Sequence, residues 1–176
     1  MSESKLPKRV LIIRHGEKRG DPSADNTGDG PSLSTKGFER AGALAPYVLA
    51  QFGRPDFLFA TRASENSNRP VETITPLSKA IGVSIDDKHA DKDYGKVASD
   101  ILGNPKYAGK LVLICWHHGK IPDLVNALHA VPPVSKWPGT VFDRVWQIDY
   151  PADGSAANNL PLLNLPQKLL YGDESA

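Results

Sequence analysis

A histidine flanked by an arginine and a glycine directly follows a short apolar segment near the start of this sequence. The segment from Val10 to Ile13 is continuously apolar and largely β-branched, which predicts a buried strand. Arg14, His15 and Gly16 come next. A neutral imidazole is a competent nucleophile toward phosphorus, a guanidinium binds phosphoryl oxygens with a planar fork, and glycine lets backbone approach a ligand closely. A phosphate site accounts for these three residues. Taken on their own, they are equally compatible with a polar strand end at which Arg14 forms a surface ion pair.

Further basic and imidazole side chains occur at comparable places along the chain. Arg69 stands at the start of a predicted helix, where the helix dipole disfavours an arginine unless it binds an anion. His117 and His118 follow the apolar segment from Leu111 to Trp116. Arg62 lies in a polar stretch after another predicted strand and is as compatible with the surface as with a pocket. Arg69 is therefore a candidate for binding an anion.

The elements that must position these residues alternate between strands and helices. Such alternation predicts an α/β three-layer sandwich, with a mostly parallel central sheet, helices on both faces and ligands at the carboxyl ends of the strands. The predicted strands are 10–13, 57–60, 83–85 and 111–116, with an edge strand within 141–150 and an edge strand or tail within 160–170. The predicted helices begin at the N-cap Ser34, at Pro70, at Asp93 and at Pro122.

Four short motifs resemble, in order, those of the histidine phosphatase superfamily, the group that contains cofactor-dependent phosphoglycerate mutases. Each motif is weak alone, but four in the right order on suitable elements are strong. The resemblance spans nearly the whole chain, is closest to the small branch-1-type phosphatases, and implies the phosphoglycerate mutase-like fold. The motifs are Arg14 to Lys18, Leu33 to Ala41, Arg69 to Thr73, and His118-Gly119.

The resemblance implies covalent catalysis by His15, which attacks phosphorus in line while cationic groups neutralise the oxygens. The catalytic residues that it implies are His15, Arg14, Arg69 and His118. The expected substrate-binding residues are Gly16, Lys18, Arg62 and His117. We expect a phosphohydrolase of small phosphate monoesters with no metal or organic cofactor. A phosphoglycerate mutase-like phosphotransferase, or a weakly active phosphate-binding or regulatory domain of the same fold, are the alternatives.

Two features of the site stay open at this stage. The general acid is Asp93, Asp91 or Glu17, since Asp93 also suits a helix cap, Asp91 a loop charge and Glu17 a structural partner of Arg14. Adjacent strand-end side chains point to opposite sides, so only one of His117 and His118 faces His15. We favour His118, because the glycine that follows it allows tight backbone approach.

Composition sets the outer bounds. The chain has 176 residues, 40% of them hydrophobic, and a formal net charge of +1, which predicts one domain over 1–176 with flexible ends at 1–7 and 172–176. Mixed charge and the lack of a long apolar segment argue against nucleic acid and membrane partners. The single cysteine, Cys115, lies in an apolar segment and is expected to be a buried thiol. We expect a soluble, cytoplasmic protein whose partner is a small phosphorylated substrate or inorganic phosphate. Oligomeric state is open.

Overall fold

A six-stranded mixed sheet forms the centre of the computed structural model, which describes residues 4–24, 27–155 and 157–175. Its strands are β1 (Arg9–Arg14), β2 (Phe57–Ala60), β3 (Ile85–Asp86), β4 (Leu111–Trp116), β5 (Arg144–Asp149) and β6 (Leu163–Pro166). The spatial order is β3-β2-β4-β1-β5-β6. Strands β1 to β4 are parallel, whereas β5 pairs antiparallel with β1 and β6 antiparallel with β5. The prediction of an α/β fold with a mostly parallel sheet is confirmed.

The helices begin and end where the sequence supplies start and stop signals. They are α1 (Thr35–Gln51), α2 (Arg69–Ile81), α3 (Tyr94–Gly103) and α4 (Ile121–Ala127), with short 3-10 turns at Asp91–Asp93 and Pro105–Tyr107. The hydroxyl of Ser34 caps α1 by accepting from Gly37 N at 3.1 Å, as predicted. Helices α2 and α4 each carry a proline in their first turn, and Gly82 ends α2 in the left-handed conformation.

Buried side chains alternate between the two faces of β1, so the sheet separates two apolar layers. Val10 and Ile12 pack with residues of α3 and α4 on one face, whereas Leu11 and Ile13 pack with residues of α1 and α2 on the other. Cys115 is a free, fully buried thiol in the second layer, as expected. Both layers hold β1 and β4 rigidly in the middle of the sheet. Their carboxyl ends therefore form a fixed platform.

The later part of the chain differs from the prediction in detail. The segment 141–150 was expected to supply an edge strand, but β5 lies between β1 and β6 and is buried along most of its length. It is covered because β6, which occupies part of the predicted 160–170 segment, pairs outside it. The predicted strand at 83–85 is the two-residue β3, shifted toward Asp86.

The two predicted flexible ends are partly tied to the domain. Residues 1–3 and 176 lie outside the described residues. Leu6 accepts through its carbonyl from Gly109 N at 2.9 Å, and Pro7 is buried. The side chain of Asp173 is only 5% exposed and forms a salt bridge with Arg40 at 2.7 Å. This contact ties Asp173 to the domain through a buried charge partner, and the flexibility of the ends stays a prediction.

Candidate active site

The carboxyl ends of β1 and β4 lie side by side and bring two histidines together. The strands pair in the register Ile13 with Cys115, and the backbone N of His15 donates to the carbonyl of Trp116 at 3.3 Å. Continuing this register places His15 opposite His117. Their ring centroids lie 5.2 Å apart in an edge-to-face arrangement with an interplanar angle of 69°.

The prediction that His118 faces His15 is therefore wrong by one residue. Side chains alternate along β4, and Trp116 is fully buried in the apolar layer opposite to Cys115. His117 falls on the Cys115 side, which is also the side of Ile13 and His15. The glycine after His118, on which the choice relied, says nothing about this alternation.

The imidazole of His15 is held in one tautomer by the backbone. Its Nδ1 lies 2.7 Å from the carbonyl oxygen of Gly16, and since a carbonyl only accepts, Nδ1 carries the hydrogen in the neutral ring. Nε2 then bears the free lone pair. Burial lowers the pKa of His15 well below its usual value, and the charge of Arg14 lowers it further. His15 is thus a neutral imidazole with a defined nucleophilic nitrogen.

Arg14 is a buried cation that forms no salt bridge with a carboxylate of the described residues, although the charges of Asp21 and Glu17 act on it from farther away. Its Nη1 donates to the carbonyls of Gly139 and Val141, both at 2.8 Å, and its guanidinium carbon lies 3.7 Å from the ring centroid of Phe142. The buried Nε has no partner among the described residues. Burial lowers the pKa of Arg14 to about 10. An unpaired buried guanidinium is costly, and an anion would remove that cost.

Arg69, the first residue of α2, has the same character. Its Nη1 donates to the carbonyl of Gly30 at 2.9 Å, while its buried Nε is also without a partner in the described parts of the chain. Burial lowers its pKa. The charge of Arg69 lowers the pKa of Arg14, of His15 and of His117, so all four groups share one positive region. Such a region attracts an anion.

The two strand-end histidines have different surroundings. Burial lowers the pKa of His117 to about 4, and the charge of Arg69 adds to this effect. His118 is half-buried and lies toward Gly139, where an added Cβ would come within 3.8 Å of its Nε2. Its pKa is lowered by burial and then by Arg14 and Lys18. His118 therefore lines the Arg14 side of the site, and His117 the His15 side.

The three candidate acids are in unlike environments. The carboxylate of Glu17 is buried and bound to Arg40, not to Arg14 as the sequence suggested, which makes it acceptor-only. Asp93 pairs with Lys96 at 3.0 Å, and this contact lowers its pKa. Asp91 has a buried Oδ1 without a described partner, and burial raises its pKa. Of the three, only Asp91 has the character of a carboxyl that holds a proton.

Two predicted substrate-binding residues lie at the surface. Lys18 and Arg62 are exposed; Lys18 pairs through its backbone with Leu33, and the backbone N of Arg62 donates to His89 O at 2.7 Å. Their roles remain predictions. No group of three or more histidine, cysteine, aspartate or glutamate side chains is placed to hold a metal ion within residues 4–24, 27–155 and 157–175. Within the same residues, no helix has the length and apolar character that crossing a membrane requires.

Sequence reasoning missed three contributors to the site. Thr73 is fully buried, and its hydroxyl accepts from Gly16 N at 2.9 Å, which holds the peptide that joins His15 to Gly16. Its place in the second arginine motif was a usable signal. Thr61, after β2, has a buried hydroxyl with no partner among the described residues, and Phe142 packs between Arg14 and His15. No sequence pattern marked either one.

Comparison with known proteins supports the fold independently. No family model and no curated protein matches the sequence. Among solved structures, the protein histidine phosphatase SixA complexed with tungstate is similar with a TM-score of 0.63 and 16% identity, covering 90% of this chain and 97% of that one. Phosphoserine phosphatase from Entamoeba histolytica gives a TM-score of 0.60 and 14% identity over 92% and 99% of the two chains.

A third similar structure is the mycobacterial glucosyl-3-phosphoglycerate phosphatase, with a TM-score of 0.57 and 17% identity over 90% of this chain and 97% of that one. These similarities extend over most of both chains in each pair. At such low identities they establish the fold alone, which is the phosphoglycerate mutase-like fold.

Proposed function

From the histidine phosphatase fold and the site at its strand ends, we propose that this protein is a phosphatase that cleaves small-molecule phosphate monoesters through a phosphohistidine on His15. One observation carries the proposal. The buried Nε groups of Arg14 and Arg69 have no partner among the described residues, and they belong to the positive region around a neutral imidazole of defined tautomer. A phosphoryl group bound there satisfies these donors and meets the lone pair of His15 Nε2.

In the first step, His15 Nε2 attacks phosphorus, the N–P bond forms and the bond to the leaving oxygen breaks. Asp91, the carboxyl whose pKa is raised by burial, gives its proton to that oxygen. Arg14 and Arg69 neutralise the phosphoryl oxygens, which need positive charge as the transition state forms. His117, beside His15, donates an N–H to one of them.

In the second step, water attacks the same phosphorus from the side that the leaving group vacated. The N–P bond breaks, its electron pair returns to Nε2, and Asp91 takes a proton from the water. Inorganic phosphate leaves, and His15 is again neutral. No step changes an oxidation state, and the two arginines supply the positive charge that a metal ion provides in other phosphatases.

Two observations bear on the acceptor and on the substrate. The stretch between β3 and β4 contains only α3 and two short turns in the described chain, so no inserted domain encloses the intermediate, which favours water over a second substrate hydroxyl. The similar structures include a protein histidine phosphatase and a glucosyl-3-phosphoglycerate phosphatase. A substrate screen therefore includes a phosphoramidate and 3-phosphoglycerate esters beside aryl phosphate.

The experiment is to quench the enzyme during turnover of a ³²P-labelled aryl phosphate, which needs little help from an acid. We expect label on the wild-type protein that is labile in acid and stable in alkali, as a phosphorus–nitrogen bond requires, and none on His15→Ala. His129→Asn is the matched control, because His129 is exposed and its φ of 66° is one that asparagine tolerates. Turnover should survive exhaustive chelation.

Label that survives acid and is lost in alkali would contradict a phosphohistidine, as would full labelling of His15→Ala. Stable label without turnover would favour the phosphate-binding domain instead. Faster release when an acceptor alcohol is added, with transfer of label to it, would favour the phosphotransferase.

A further inference from the structure

A buried ion cluster lies beside the proposed active site and uses every donor of one arginine. Arg40, on α1, donates from Nε and Nη2 to Glu17 at 3.1 and 2.7 Å. It donates from Nη1 and Nη2 to Asp173 at 2.9 and 2.7 Å, and from Nη1 to Gln167 at 2.8 Å. The three charged side chains are at most 5% exposed. All five N–H groups of the guanidinium are accounted for.

One end of this cluster is the segment that orients His15. Glu17 follows Gly16, whose carbonyl accepts from His15 Nδ1. The Glu17 carbonyl accepts from the backbone N and the hydroxyl of Ser34 at 2.9 and 3.0 Å. The segment also lies close to α1, since a Cβ on Gly37 would come within 2.4 Å of the Glu17 carbonyl. The Ser34 contacts hold the Glu17 carbonyl and the Arg40 contacts hold the Glu17 side chain, so together they fix this residue next to the Gly16 carbonyl.

The other end of the cluster is anchored without help from Arg40. Asp173 Oδ2 accepts from the backbone N of Leu169 and Leu170 at 2.9 and 3.2 Å. The next residue, Glu174, donates from its backbone N to Asp143 Oδ2 at 2.8 Å. Asp173 is therefore a fixed point supplied by the chain beyond β6, and Arg40 links Glu17 to it.

Stability alone gives no reason for this arrangement. A buried ion cluster is expensive to desolvate, and apolar side chains of similar volume commonly serve stability as well or better. One arginine between two carboxylates also leaves a net negative charge in the interior. A role in holding neighbouring groups in position accounts for both the desolvation cost and the net negative charge.

We propose that Asp173 is a positioning residue for the phosphoryl-transfer step. Through Arg40 it fixes Glu17, and with Glu17 the Gly16 carbonyl that keeps the hydrogen of His15 on Nδ1. The proposal rests on the role of His15 as nucleophile. It assigns to Asp173 no contact with the substrate. Its loss should thus affect the chemical step and leave phosphate binding by Arg14 and Arg69 in place.

The test is Asp173→Asn in the full chain, with Asp149→Asn as its control. Asparagine has the same shape, but its amide cannot accept from Arg40 and from the backbone at both former oxygens. Asp149 also pairs with an arginine, Arg9, but at the opposite end of β1. We expect kcat for an aryl phosphate to fall about tenfold in Asp173→Asn, as small misplacement of a reacting group predicts, with KM and inhibition by phosphate unchanged. Asp149→Asn should match the wild type.

A second readout does not depend on turnover. In ¹⁵N NMR spectra the wild-type His15 should be protonated at Nδ1 only, and Asp173→Asn should show a second tautomer or protonation at both nitrogens. A normal His15 signal together with normal kcat in a folded variant would overturn the proposal. If Asp173→Asn does not fold, Gln167→Met removes one acceptor of Arg40 and should lower kcat about threefold, with KM again unchanged, as expected for one neutral hydrogen bond. An unchanged kcat there would also overturn it.

The outcomes separate this proposal from the function on which it rests. Absence of a phosphoenzyme in the wild type defeats the function, while the tautomer of His15 still reports whether Asp173 controls it. A normal phosphoenzyme in both proteins, formed at the same rate, defeats only the role of Asp173.

Discussion

Arg14 and Arg40 are buried to the same extent, with about 1% of each residue exposed, yet their surroundings are opposite. Arg40 donates all five hydrogens to two carboxylates and a glutamine. Arg14 bonds only to two carbonyls, packs on the ring of Phe142, and has a buried Nε without a partner among the described residues. The two guanidiniums differ in what surrounds them, not in depth.

Their pKa values move in opposite directions for this reason. Burial lowers the pKa of both, but for Arg40 the hydrogen bonds and charges of Asp173 and Glu17 more than offset it, and the pKa rises. For Arg14 burial prevails, and the pKa falls to about 10. A completed ion cluster indicates a structural task, whereas a buried cation that awaits an anion indicates a binding site. The exposed fraction of the arginine does not distinguish these two cases.

The largest expected effect is on stability, and it falls on the completed cluster. Arg40→Leu leaves the carboxylates of Glu17 and Asp173 buried without their cation, which should lower the free energy of unfolding by about 3 to 5 kcal/mol. Arg14→Leu removes a cation that forms no salt bridge within the described parts of the chain, and should cost clearly less. Urea denaturation of both variants at neutral pH measures the difference. Equal losses would remove the distinction between the two arginines.

The second prediction concerns catalysis and phosphate binding, where the larger effect falls on Arg14 and not on Arg40. Arg14→Leu should lower kcat/KM for an aryl phosphate by about 10² to 10³, as loss of one donor to the transition-state oxygens does elsewhere. It should also abolish the increase in melting temperature that inorganic phosphate gives the wild type, because that increase reflects binding to the native state. In Arg40→Leu the phosphate-induced increase should persist on a lower baseline. A persistent phosphate response in Arg14→Leu would place the anion elsewhere.

The third prediction concerns the neighbouring histidines of β4. His117 contacts the ring of His15, whereas His118 lies toward Gly139. His117→Ala should therefore lower kcat by about 10², the effect of removing one hydrogen-bond donor to the transition-state oxygens. His118→Ala should lower kcat by less than tenfold. Steady-state kinetics on both variants, after a check of folding by circular dichroism, decides between them. A larger loss at His118 would restore the register that the sequence favoured.

Much of the fold could be predicted because its signals are local. The apolar segments at β1 and β4, the cap at Ser34 and the prolines of α2 and α4 each indicate an element within a few residues. Strand β5 shows where local signals end. Its interior place depends on pairing with β6, which comes about 20 residues later in the chain, and composition does not encode that partner.

The candidate site likewise combines residues that have local sequence signals with residues that are placed by long-range contacts. Arg14, His15 and Arg69 were predicted as site residues from their positions at element ends and from the family resemblance. The choice of His117 over His118 needed the register between β1 and β4, and a shift of one residue reverses every side chain. The partner of Glu17 was missed because Arg40 is 23 residues away, and Asp173 farther still. Side-chain pairs that cross the fold leave no periodicity in the sequence.

The smallest expected effect is a pH dependence that follows from the burial of His117 among cationic groups. Burial beside Arg69 lowers the pKa of His117 to about 4, compared with about 6.5 in an unfolded chain. Between these values the unfolded state binds a proton that the native state does not, so the free energy of unfolding rises with pH and falls as pH drops below about 6.5. His117→Gln cannot take up that proton. Between pH 7.5 and 5.5 the wild type should therefore lose about 1 kcal/mol more stability than His117→Gln, measured by urea denaturation at both values. Equal losses would mean that His117 is protonated in the native state as readily as in the unfolded one, and the pocket would then resemble the carboxylate-rich surroundings of Arg40.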